Sequence, residues 1–295
     1  MIGLDLDEAR VVAVIVDEAG MVQARATVDA AGDVAGAARA ALRQIAAGSS
    51  AAQIGVASAL PEAASITTAV ATLKREFSGL VASNGVIAAG TAAVMAETWS
   101  GAAKGARDAA LLAVADRSIA GIVRGGAPMT GARGRAPMIA WLALNPVERE
   151  DYRKVGCLEA EVAASGVVRR LIWRIKAGDE SSVQEAVGPD LVGITLDHVF
   201  DAARRGDGVA VSVVRDTAKY LGMAAANLVA IVDPETLVLG GMMASAADLF
   251  TDLVRAELTR RLPRAMMEAL SIVPASLGHE AAAIGAARLA AAALP

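Results

Sequence analysis

DGVAVSVVRDTAKYLGMAAANLVAIVDPETLVLGG, residues 207–241, reads as one long helix, a turn and a buried strand, and the rest of the chain is arranged around it. Ser212, Arg215, Asp216 and Lys219 fall at i, i+3, i+4 and i+7, which keeps one face of the first half wet. After Gly222 only Asn227 interrupts the apolar run, so the helix is expected to end surrounded by protein. Asp207 is placed to cap its start. Asp233-Pro234 stops it, because proline lacks the N–H and restricts the residue before it. Leu237-Val238-Leu239 suits a strand buried on both faces, and Gly240-Gly241 permits a close backbone approach beyond the strand's carboxyl end.

Outside this stretch, apolar residues make up 55% of the chain, largely Ala and Val, while aromatics are only 3%. A core of small side chains favours close helix–sheet packing, and 295 residues suffice for two lobes with a core each. A net charge of -4 gives no electrostatic case for nucleic acid or an anionic membrane. The arginines at 169, 170, 174, 260, 261 and 264 read as solvated helix faces. Cys157 is alone, which rules out an intrachain disulfide or an all-cysteine metal site. No basic-hydrophobic leader precedes Ile2, so the chain reads as cytoplasmic. Residues 77–96 carry no charge, but Gly79, Ser83, Asn84, Gly85 and Gly90 favour a strand, a turn and a helix start over a membrane span.

In chain order, residues 2–6, 11–16 and 21–28 form a three-strand meander with acidic turns. A helix at 33–47, a strand at 54–58, a helix at 65–77, a strand near 86–87 and a helix at 91–103 follow. The meander then returns at 111–115, 119–123 and 127–129, which points to an internal duplication in an α/β chain. Residues 145–156 read as a charged surface loop. Helices are expected at 162–177, 196–205, 207–232 and 247–261, then a strand at 270–273 and a closing helix at 280–293.

This pattern resembles the bacterial repressor/open-reading-frame/kinase (ROK) proteins, within the sugar kinase, actin and heat-shock ATPase superfold. The similarity is clearest in VFDAARRGDGVAVSVVRDTAKYLGMAAANLVAIVDPETLVLGG, in ASLGHEAAAIGAARLA near the end, and in GCLE at residues 156–159. The resemblance implies a two-lobed actin-like ATPase (ribonuclease H-like) fold with a duplicated βββαβα core. An N-terminal lobe of 1–108 is expected, with the closing segment 280–295 packing back on it, and a C-terminal lobe of 109–279. It also implies ATP and a sugar in a cleft between the lobes, so each chemical motif can be compared in turn.

The first phosphate loop of such kinases reads D-x-G-G-T; here it is Asp5-Leu6-Asp7-Glu8-Ala9, with carboxylates in place of both glycines. Like charges about 4 Å apart repel by roughly 1 to 4 kcal/mol, so ATP binding should suffer. The second loop, G-T-G-I-G, becomes Ala115-Asp116-Arg117-Ser118-Ile119. The family's catalytic base is the aspartate of an Asn-Asp pair, needed because a sugar hydroxyl is a poor nucleophile until its proton is taken. Counting back from Glu97 puts Ala88-Ala89 there, and aligning on Asn84 gives Asn84-Gly85, so either register removes the base. The sugar-holding G-E-x-G-H element becomes Pro137-Met138-Ile139-Ala140-Trp141, leaving Glu159 as the one sugar-contacting acid. Trp141 either stacks on a ring-shaped ligand beside Glu159 or fills the space of a missing histidine and metal. The zinc motif C-x-C-G-x-x-G-C becomes residues 150–157, retaining only Cys157 of four ligands, too few for structural zinc. His198 and His279 read as ordinary helix or capping residues.

The resemblance therefore implies a degenerate, non-catalytic member with a regulatory or ligand-binding role, or alternatively an ATP-dependent hexose kinase with a divergent site in which Glu97 or Glu159 serves. No catalytic residue is assigned, the base position being Ala89. Substrate-binding candidates are Glu159, Trp141, Met138 and Asn84, and nucleotide-binding candidates are Asp5, Gly240 and Gly241. No cofactor is expected, ATP with magnesium entering only under the kinase alternative, and no zinc. The expected partners are a small sugar or metabolite and a second copy of the chain, with neither nucleic acid nor membrane.

Overall fold

The structure, a computed structural model, describes residues 1–45, 53–188 and 190–292, apart from the side chain of Asn84. The last residues of the helices expected at 33–47 and 280–293 lie outside the described residues, as does the Asn84 side chain.

The first meander is β1 (Ile2–Leu6), β2 (Arg10–Val16) and β3 (Val22–Asp29), followed by α1 (Val34–Ile45), β4 (Ile54–Ser58), α2 (Ala64–Glu76), β5 (Val81–Ala88) and α3 (Ala89–Trp99). The second is β6 (Ala109–Val114), β7 (Ser118–Arg124) and a brief β8 (Ala127–Pro128). A run of helices follows: α4 (Glu150–Val155), α5 (Cys157–Val162), α6 (Ala164–Lys176), α7 (Val183–Val187), α8 (Leu196–Arg204) and α9 (Gly208–Val232). The chain closes through β9 (Thr236–Gly241), α10 (Met242–Ser245), α11 (Ala247–Arg261), α12 (Arg264–Ala269), β10 (Ser271–Pro274) and α13 (Ala281–Ala292).

The two sheets run β3-β2-β1-β4-β5 and β10-β9-β6-β7-β8. In each, the first strand of the meander pairs antiparallel with the second and parallel with a later strand, β1 with β4 and β6 with β9. The same order on the same connectivity establishes the duplicated α/β core. Central strands buried on both faces, such as Ala109–Val114, carry the continuous apolar runs that such positions require.

Between the sheets lie α3 and α13, whose small side chains let their backbones come into contact. A methyl group built on Gly3 of β1 would stand 1.8 Å from the Ala283 carbonyl oxygen of α13. One on Gly285 of α13 would stand 1.7 Å from the Ala92 oxygen of α3, and one on Gly90 of α3 would stand 1.9 Å from the Ala120 oxygen of β7. The small-residue composition is thus used to bring sheet, helix, helix and sheet to backbone distance. α13 packs on β1 and β4 as well as on α3, and α3 reaches β7.

In α9 the Asp207 carboxylate accepts from Ala210 N at 2.8 Å, and Asp233 ends the helix in the left-handed conformation with φ 49°. Contrary to expectation its second half keeps an outer face, because Asn227, Ala230 and Ile231 are exposed while the residues between them pack inward. A second departure is larger. Residues 145–156 are not simply a surface loop: they include α4, whose Tyr152 is buried. Arg169 and Arg170 do not lie on a solvated face, for the reason given below. No helix among the described residues is long and apolar enough to cross a membrane.

Candidate functional site

The turns that close the two meanders face the same cleft. Asp7, Glu8 and Ala9 of the β1–β2 turn and Asp116 and Arg117 of the β6–β7 turn line a cavity of about 560 Å³, together with residues of α4, α5 and the start of α6. The duplication explains this, since each turn sits at the same end of its own sheet. Another depression of about 690 Å³ lies among Met1, Val16, Asp17, Glu18 and Arg288 and holds none of the candidate residues.

Neither turn contains a residue with positive φ. A nest of backbone N–H groups that cradles phosphate alternates right- and left-handed residues, the second of which is normally glycine. Instead, the Asp7 carboxylate accepts from Ala9 N at 2.9 Å, and the Glu8 carboxylate accepts from the Ser65 hydroxyl at 2.8 Å. Asp116 has no hydrogen-bond partner among the described residues. The first turn is therefore already closed on its own acceptors, and both turns present carboxylates to the cleft.

Behind the first turn, Asp5 is half-buried on β1 and makes no side-chain hydrogen bond among the described residues. Burial pushes its carboxyl up to about 7, Asp7 raises it further and Arg10 opposes both. At the second turn, Glu159 of α5 is buried and lies on the cavity wall. Its Oε2 accepts from Ser118 N at 2.8 Å and its Oε1 meets Arg117 Nη1 at 3.4 Å. A carboxylate has about four acceptor sites, so Glu159 keeps capacity for a ligand hydroxyl.

The other sequence candidates disperse. Ala88 and Ala89 fall at the β5–α3 junction and bring no acid to it. Glu97, a possible replacement base, is fully buried, and its carboxylate accepts from Ala102 N, Ser276 N, Leu277 N and the Ser276 hydroxyl. It holds the approach to α13 and has no route to the cleft. Met138 and Trp141 are 55% and 51% exposed on a 3-10 turn and are not among the residues lining the cavity. Trp141 is thus neither filling a vacated space nor beside Glu159 in the cleft; what packs there is the 3-10 turn's backbone against Gly156. Gly240 and Gly241 lie against β6: a methyl on the first would meet the Ala113 side chain at 2.8 Å, and one on the second the Val114 carbonyl at 2.1 Å. Asn84 is on β5, and its side chain is not described. His198 completes a capping box with Thr195.

At the positions of the zinc motif the donors do not fit a metal. Glu150 pairs with Lys154 at 2.6 Å, the Tyr152 hydroxyl donates to Glu161, and Trp141 faces solvent, leaving only the Cys157 thiol. No cluster of three or more His, Cys, Asp or Glu side chains suited to a metal occurs among the described residues.

Missed by sequence reasoning was the role of Glu161, buried beside Arg149, Tyr152 and Arg170. The only signal was local: a second glutamate, two residues after Glu159, in a helix whose other residues are apolar, with two arginines eight and nine positions on.

Two sheets of identical order, with paired turns meeting across a cleft, define a chain of the actin-like ATPase fold in its sugar-kinase form. The chain belongs to the ROK family, whose model, described as ROK family, matches residues 2–293. It is 33% identical over 197 residues to a glucokinase of Halalkalibacterium halodurans, covering 65% of this chain and 59% of that protein. It is 26% identical over 193 residues to the DNA-binding transcriptional dual regulator NagC of Escherichia coli, covering 65% of this chain and 46% of that protein. The matches thus span less than two thirds of these relatives. Among solved structures, a ROK family glucokinase from Streptomyces griseus in complex with glucose and AMPPNP superposes with TM-score 0.83 at 24% identity, over 99% of both chains. A ROK hexokinase from Thermus thermophilus superposes with TM-score 0.73 at 25% identity, over 98% and 97%.

Proposed function

We propose that this chain is a ligand-binding member of the ROK family that does not transfer phosphoryl groups. One observation carries the reading: the two turns that meet across the cleft contain no left-handed residue and present Asp7, Glu8 and Asp116. A triphosphate needs the reverse, converging N–H donors and cations that neutralise charge as it develops. Each carboxylate within about 4 Å of a phosphate oxygen costs roughly 1 to 4 kcal/mol. The absence of an acid at Ala88-Ala89 adds a loss of about 10²- to 10⁴-fold for a missing general base. Glu159, with free acceptor sites on the cavity wall, suits a hydroxyl-rich small molecule such as a sugar, and a regulatory role would act through that ligand.

The names of its relatives favour a second reading, an ATP-dependent hexose kinase with a divergent site. Calorimetry with a panel of hexoses and N-acetylhexosamines, run beside a coupled assay for ADP release, separates the two. A sugar that binds without ATP turnover supports the first; sugar-dependent ADP release, lost on Glu159→Ala, establishes the second.

A further inference from the structure

We propose that Glu161 organises a metal-free staple that does in this chain the bracing work of a zinc ion, and that it is a positioning residue for Glu159. The inference is independent of whether the cleft binds a sugar or also phosphorylates it.

The side chain of Glu161 is only 5% exposed and receives three donors from two separate segments. Arg149, just before α4, donates at 3.0 Å; Arg170 of α6 donates at 2.6 Å; and the Tyr152 hydroxyl of α4 donates as well. Arg170 continues outward to Thr217 of α9 at 3.0 Å and back to the main-chain carbonyl of Glu161 at 2.8 Å. Around this centre Asp151 bridges Arg149 and Arg169 at 3.3 and 3.0 Å, and both guanidinium groups lie over the Trp173 ring. Burial and the Glu161 carboxylate together hold the Tyr152 phenol well above its ordinary pKa, so it stays a donor.

The staple therefore ties α4, α5, α6 and α9 together, as a tetrahedral ion would tie its ligand segments. Its charge balance leaves no place for a cation: three arginines face two carboxylates. A divalent ion would meet net positive charge and the single thiol of Cys157.

The link to the cleft runs through α5, which is only six residues long. Residues two apart on a helix point to nearly opposite sides. Glu161 thus faces the staple while Glu159 faces the β6–β7 turn, where it holds Ser118 N. A short helix clamped at both sides by buried carboxylates cannot lose one clamp without shifting the other.

Three measurements on the purified chain test this: metal content by plasma mass spectrometry, unfolding midpoint with and without EDTA, and amide hydrogen exchange. The wild type should carry no stoichiometric zinc and keep its midpoint in EDTA. Glu161→Gln should lower the midpoint by about 5 °C or more. In it, the Ser118 amide should exchange faster by about tenfold beyond any change at Leu111 and Leu112 of β6, which read global stability. Arg149→Met, which removes one partly exposed donor, should move all these in the same direction by less and serves if Glu161→Gln does not fold. One zinc per chain whose removal lowers the midpoint would overturn the staple. A Ser118 amide that accelerates no more than the β6 amides in either variant would overturn the positioning role.

Discussion

Replacing Gly285 by alanine probes the backbone contact between α13 and α3. The added methyl would stand 1.7 Å from the Ala92 carbonyl oxygen and 2.4 Å from its carbon. Ordinary contacts lie near 3.5 Å, so α13 and α3 must separate by about 1.5 to 2 Å. Both helices are buried against the sheets on their other sides, so neither has free space to retreat into. Overpacking of this kind costs about 1 to 3 kcal/mol, and the size of the overlap places it at the upper end. Alanine returns about 0.8 to 1 kcal/mol of helix propensity, leaving a net loss of about 2 kcal/mol. In a chain of this size that lowers the unfolding midpoint by about 4 to 8 °C. Gly208 is the matched control: it is the first residue of α9, a methyl added there would meet nothing within 4 Å, and alanine should gain about 0.4 to 1 kcal/mol. Urea unfolding followed by circular dichroism gives both values, with tryptophan emission, to which Trp99 beside α13 contributes together with Trp141 and Trp173, as a second probe. Gly285→Ala as stable as the wild type, or Gly208→Ala falling as far, would refute the reasoning.

Two further changes address Asp5 and Glu97. Asp5 has its native carboxyl raised from 3.8 to about 7, so the native state holds a proton that the unfolded chain releases. Its contribution to stability is then fully present below about pH 4 and is lost as pH rises to 7; Asp5→Asn should flatten that slope and raise the midpoint at pH 8, and thermal scans across pH showing an unchanged slope would remove the assignment. Glu97→Gln presents an amide N–H₂ to the converging N–H groups of Ala102, Ser276 and Leu277 and should cost about 3 kcal/mol in urea unfolding; a near-neutral result would mean that those donors are satisfied otherwise.

The sheets were legible because strand and turn chemistry is local. Alternating apolar runs broken by Asp-Glu-Ala-Gly and by Arg-Gly-Gly mark both meanders, and their repetition shows the duplication. The Asp207 cap and the Asp233-Pro234 stop bound α9 within a residue for the same reason. What the chain conceals is pairing at a distance. Glu161, Arg170 and Thr217 become one network only when α5, α6 and α9 pack together, so Arg169 and Arg170 read as solvent-facing. α4 is too short for helical periodicity to show, and its charges read as a loop. Glu97 read as a candidate base because two of its three partner residues, Ser276 and Leu277, lie nearly 180 positions away. That the first turn carries Asp7 and Glu8 rather than glycines was visible directly, but not that their carboxylates accept from Ala9 N and from Ser65 of α2, 57 positions on.

Those partners bear on any attempt to install a glycine-rich phosphate loop in the first turn. A turn made of ordinary backbone conformations accepts almost any residue, so its sequence can wander while the sheets behind it stay intact. A change to glycine is more demanding. Installing two glycines would release the Asp7–Ala9 and Glu8–Ser65 bonds and leave a looser turn, still opposite Asp116 and Arg117. The cleft has two matched halves, and a glycine-rich phosphate loop would have to be written into both at once.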